Sequence, residues 1–110
     1  MHTDETLDSR VRNILADVVD LREQKMMGAL YFMVCGHVCC GVTGDALIVR
    51  VGRAGYDAAL VQEHVRPIEM AGRKLSGFVI VDPPGVKTDR TLSQWLASAR
   101  AFVSTFPAKS

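Results

Sequence analysis

No stretch of the 110-residue chain approaches eighteen consecutive apolar residues, so no helix of it is expected to span a membrane. Charge of one sign is missing as well. Thirteen Lys and Arg stand against twelve Asp and Glu, a net charge of +1. That balance leaves no electrostatic footprint for nucleic acid, whose phosphates are held by clustered cations that release counterions. The opening residues, Met-His-Thr-Asp-Glu-Thr-Leu-Asp, are acidic and polar where a secretory signal needs a basic start and an apolar run. Cysteine is scarce and odd in number, three in all, which fits a reducing compartment where thiols stay free. The expectation is a cytoplasmic protein.

The chemical signatures that are absent exclude more. There is no CxxC, no full GxGxxG and no Walker GxxxxGK[ST]. His2 and His64 have no Ser, Cys or carboxylate at a spacing that implies a triad. Asp8, Asp17, Asp57, Asp82 and Asp89 are scattered, with no pair placed as general acid and base. No catalytic residue, metal or cofactor is expected.

What is present suffices for one domain spanning 1–110, with residues 1–5 as a disordered tail. A composition of 48% hydrophobic and 23% charged residues is that of a globular chain. Leu7, Val11, Ile14, Leu15 and Val18 form a stripe of helical period, with Thr3 or Thr6 as its cap. Leu21 to Met27 reads as a strand or as a last helical turn before Gly28. Leu30 to Cys35, His37 to Thr43 and Ala46 to Val51 read as a meander, turning at Cys35-Gly36 and Gly44-Asp45. Ala54 to Val61 reads as a short helix, and Pro67 bars its continuation. Ile68 to Met70 and Leu75 to Val81 suggest another hairpin, stopped by Asp82-Pro-Pro-Gly85. Leu92, Trp95, Leu96, Ala99, Phe102, Val103 and Phe106 then mark a long amphipathic helix that starts near Thr88 or Asp89.

The expected fold is α+β, an antiparallel sheet of about five strands with helices packed on one face. Ala46-Leu-Ile-Val-Arg-Val51 and Phe78-Val-Ile-Val81 are apolar on both faces, so the second face must also be buried. A homodimer is one inexpensive cover.

Three places invite chemistry. With Cys35-Gly36 as the turn, Phe32 pairs with Cys39 and Tyr31 with Cys40, and alternation sends Cys39 and Cys40 to opposite faces, too divergent for a metal site. Cys35, at the turn tip, is the exposed and oxidisable thiol, with His37 as its only local base. Val51-Gly-Arg-Ala-Gly-Tyr56 has the strand, glycine turn and helix start of an anion cradle, with Gly52, Arg53 and Gly55 as candidates. Arg50, Arg53, Arg66 and Arg73 are candidates to line one edge and hold an acidic partner or anion.

Taken in order, Lys25-Met-Met-Gly-Ala-Leu-Tyr-Phe-Met-Val, Gly36, Cys39-Cys-Gly-Val, Leu47-Ile-Val-Arg-Val-Gly52, Tyr56, Arg66-Pro-Ile, Gly72-Arg, Gly77-Phe-Val-Ile-Val and the closing helix around Trp95 resemble the N-terminal domain of the TfoX/Sxy family. The likeness runs from about Leu7 to Phe106. The family often has Met-Phe-Gly-Gly where this chain has Met26-Met-Gly-Ala29, and Asn-Gly where it has Cys35-Gly36. The resemblance implies a secretion-chaperone-like α+β fold, a homodimer and regulation of competence beside a cyclic-AMP-responsive transcription activator. It implies no catalytic residues, and its best-known members carry a C-terminal helical domain beyond the point where this sequence stops.

The expectation is therefore a non-enzymatic protein-interaction module in transcriptional regulation, with a transcription activator or polymerase component as partner. The alternative is a small enzyme or a ligand, anion or redox sensor built on the Cys35-His37 hairpin or the Gly52-Gly55 turn.

Overall fold

The computed structural model describes residues 6–26, 28–70 and 72–106, so the tail expected at 1–5 lies outside the described residues. Helix α1, Leu7–Ile14, begins at Thr6, whose hydroxyl accepts from the Ser9 amide (3.4 Å) and fills one of the free valences of the first turn. The apolar stripe runs on to Val18, beyond the helix. A tight turn in which the Val18 amide donates to the Leu15 carbonyl keeps both side chains packed in the core.

Six strands follow: β1 Leu21–Met26, β2 Ala29–Val34, β3 His37–Thr43, β4 Ala46–Arg50, β5 Val65–Met70 and β6 Arg73–Val81. Helix α2, Gly52–Leu60, links β4 to β5. A 3-10 turn at Pro83–Val86 leads into helix α3, Asp89–Val103, capped by the Thr88 hydroxyl on the Thr91 amide. The sheet is wholly antiparallel, in the order β1-β2-β3-β4-β6-β5.

The segment from Leu21, read as a strand or as a last helical turn, is the strand β1, which makes six strands among the described residues where about five were expected. Five of its six residues are exposed, so it carries no burial alternation for a sequence reading to detect, and Arg22, Glu23 and Lys25 suit an edge strand that must not recruit another chain. The opposite edge is β5, where Pro67 sits inside the strand. An edge tolerates it because the missing N–H faces no neighbour.

The helices cover one face. Val11, Leu15, Leu92, Leu96, Ala99 and Val103 join Phe32, Leu47, Val49, Val79 and Val81 of the sheet in one apolar cluster. Each such buried aliphatic side chain contributes roughly 1.5–3 kcal/mol. Arg10 on α1 ties this layer together, donating to the Val86 carbonyl (2.9 Å) and pairing with Asp89 at the head of α3 (3.0 Å).

Candidate functional site

Among the described residues no helix covers the other face of the sheet, yet that face is not flat. β5 and β6 pair regularly up to Pro67 and Val79 and again at Glu69 and Lys74, so β6 spends extra residues between the two registers. Gly77 lies in that excess at φ +97, a conformation that favours glycine, and the strand bends there. The distal arm of the β5-β6 hairpin consequently brings Ile68 and Leu75 beside Met26, Tyr31, Val38, Ile48 and Phe78 around one hollow of about 210 Å³. In a flat six-stranded sheet the edge strands would stand about 24 Å apart, five spacings of about 4.8 Å. A single small hollow that touches both edge strands requires a rolled sheet.

This curvature resolves the two-sided apolar pattern of β4. Ile48 faces away from the helices and is only 5% exposed in the isolated chain. Tyr31 helps to cover this face: its ring lies against Gly41, its cross-strand partner, where a β-carbon would come within 2.8 Å of the ring. The cover expected from a second copy is thus supplied in part by the chain itself. Met26 and Leu75, each 37% exposed, are left at the lip of the hollow.

By strand parity, Arg22, Arg50, Arg66 and Arg73 share this face. The four arginines expected to line one edge, Arg50, Arg53, Arg66 and Arg73, do not do so: β4 and β6 lie inside the sheet, Arg53 is on α2, and of these four only Arg66 belongs to an edge strand. Arg50 is half-buried. Its guanidinium donates to the Val38 carbonyl (3.2 Å) and stands over the rings of Phe106 (4.8 Å), Phe78 (5.3 Å) and Phe102 (5.8 Å). These cation–π contacts pin the end of α3 and the residues after it to the sheet. Arg66 is held by Asp82 (2.9 Å). Arg53 is exposed on α2, and Arg73 is exposed near the tip of the hairpin arm.

Gly52 opens α2 at φ +78, and the place of its missing β-carbon is taken by the Phe102 ring. The glycine at this turn accommodates an aromatic side chain at close range. Gly55 lies within the helix, with the Val51 side chain 3.7 Å from where its β-carbon would be.

The cysteine hairpin departs from simple alternation. Its turn is as expected, with Cys35 at φ +51 and Gly36 at φ +84, the doubly positive pattern of a tight two-residue hairpin. Met33 pairs with Val38, but Phe32 pairs with Cys40 and Tyr31 with Gly41. Cys39 is therefore the extra residue of a bulge, and the thiols of Cys39 and Cys40 enter the same core cluster instead of opposite faces. Both are buried completely. The hydrogen bond from Cys40 holds the Cys39 thiol below its ordinary pKa, with Arg100 and Arg50 adding attraction for the thiolate. The same bond, together with burial, pushes the Cys40 thiol well up. Cys35 is half-buried beside Arg100 and Phe106, and Phe106 stacks edge-on with His37 at 5.0 Å. Among the described residues, no group of three or more His, Cys, Asp or Glu is placed to hold a metal ion, and no helix is long and apolar enough to cross a membrane.

A rolled antiparallel sheet with its helices on one side and an apolar hollow on the other defines an α+β domain of the kind the sequence resembles. The model of the TfoX N-terminal domain family matches residues 13–103, and the chain belongs to that family. Its fold is similar to the crystal structure of Deinococcus radiodurans protein DR2400, which has a DUF419 family domain. The TM-score is 0.69 at 14% identity, over 94% of this chain and 83% of that one, a likeness of fold alone. No curated protein matches the chain.

Proposed function

We propose that this domain is a non-enzymatic protein-interaction module that docks a partner on the concave face of its sheet, in a regulatory role of the competence type. The observation that supports this reading most directly is the apolar hollow on the helix-free face, with Met26 and Leu75 exposed at its lip. Exposed apolar side chains grouped around a concavity are the usual mark of a contact surface. The TfoX family relationship supports the regulatory role, with a transcription activator or a polymerase component as the partner.

An affinity capture from native cytoplasm, with the wild-type chain and Leu75→Glu as parallel baits, tests the reading. The expected result is a transcription activator or polymerase subunit enriched by the wild type and lost with the variant. Equal recovery on both baits would overturn it.

A further inference from the structure

The docking reading leaves open what the hollow takes, and the inference drawn here rests on that reading. Its volume of about 210 Å³ equals about seven waters at roughly 30 Å³ each. That is room for a large side chain or two, and too little for a length of chain. A partner must therefore bring an apolar anchor and make its remaining contacts on the rim.

The charged strand residues of this face have one sign, although none of them lines the hollow itself and Asp82, just beyond β6, brings a carboxylate to Arg66. Arg22, Arg50, Arg66 and Arg73 are the charged strand residues of this face by parity, and all are arginine. Two are already engaged, Arg66 by Asp82 and Arg50 by aromatic rings and the Val38 carbonyl. Arg22 and Arg73 are exposed, and neither forms an ion pair among the described residues. Arg22 lies on the cross-strand row that leads through Met33 to Val38 in the hollow, and Arg73 lies two residues from Leu75 on the arm.

We propose that the occupant is an acidic segment of a partner protein, which inserts an apolar side chain between Met26 and Leu75 and sets carboxylates against Arg22 and Arg73. A second copy suits the face less well, because a two-fold contact sets a surface against itself and opposes arginine to arginine. Single-stranded nucleic acid suits it less well too. Stacking needs free ring faces, whereas Tyr31 lies on Gly41 and Phe78 lies under the Arg50 guanidinium.

The test is selection of displayed random peptides on the purified chain, scored against Leu75→Glu and against Arg22→Glu/Arg73→Glu. All three positions are exposed, so the variants are expected to fold, which circular dichroism checks. The expected result is enrichment of peptides that place a large apolar residue among Asp and Glu. Their binding falls about tenfold or more with either variant and weakens with added salt. Peptides that bind at the hollow without acidic bias would overturn the partner chemistry and leave the docking face standing. Peptides indifferent to Leu75→Glu, or no enrichment at all, would overturn both. Concentration-dependent dimerisation abolished by Leu75→Glu would assign the hollow to a second copy. Salt-sensitive binding of a labelled oligothymidine, abolished by the double variant, would assign it to nucleic acid. Either outcome would overturn the proposal.

Discussion

The two faces of this sheet are built from similar strands and solve burial differently. On one face, helices α1 and α3 seal Phe32, Leu47, Val49, Val79 and Val81 to essentially zero exposure. On the other face no helix of the described residues arrives. The sheet rolls on its own hairpin arm, which buries Ile48 and leaves Met26 and Leu75 at a lip. Helix packing closes a face, whereas strand curvature closes it only in part and leaves a concavity. The covered face accordingly carries stability, and the rolled face retains exposed apolar surface.

The largest expected effect lies on the covered face. Phe32→Ala empties the centre of the apolar cluster and should cost roughly 3–5 kcal/mol in urea unfolding, a large fraction of the stability of a chain this size. If it proved as mild as a change at the lip, the contrast between the faces would collapse.

Gly52→Ala comes next, since it combines a positive φ with a clash against Phe102. A loss of about 2 kcal/mol or more is expected, read as a lowered denaturation midpoint. An unchanged midpoint would mean that α3 does not press on this turn.

Leu75→Ala sharpens the comparison from the other side. With 37% of the residue already exposed, truncation should cost less than about 1 kcal/mol, well below the same chemistry at Leu47 or Leu96.

The smallest effect is electrostatic. Arg12 donates twice to Glu23 (2.7 and 2.8 Å) and thereby tethers α1 to the edge strand β1. The hydrogen bond from Arg12, with its charge, holds the Glu23 carboxyl below the usual carboxylate range despite some burial. A carboxylate depressed on folding adds stability above its unfolded pKa and loses it as pH falls through the folded value. Glu23→Gln should therefore lower the melting temperature slightly at neutral pH, with the difference from wild type vanishing on acidification. A gap that widened in acid would contradict this pairing.

Much of the covered face was legible from sequence, because its elements announce themselves locally. The period of α3, the Thr88 cap and the turns at Cys35-Gly36 and Gly44 need no distant partner to be recognised. The rolled face depends on relations between remote residues. β1 is exposed along nearly its whole length, so its residues left strand and last helical turn undecided. The bulge at Cys39 shifts the register of β3 by one residue, which overturns a reading by strict alternation and puts two thiols together in the core. Arg50 looks like surface charge until Phe102 and Phe106, more than fifty residues away, close around it. The bend at Gly77 has a signal, a glycine inside an apolar strand, but nothing local says which way the arm turns.

The most direct test of the rolled sheet is a methyl NOE spectrum of a perdeuterated, methyl-protonated chain. Cross-peaks linking Ile68 and Leu75 of the hairpin arm to Val38, Ile48 and Met26 are expected, since all five line one hollow. Arm methyls that connect only to their own hairpin, with Met26 isolated on its edge strand, would show an open sheet and contradict the account.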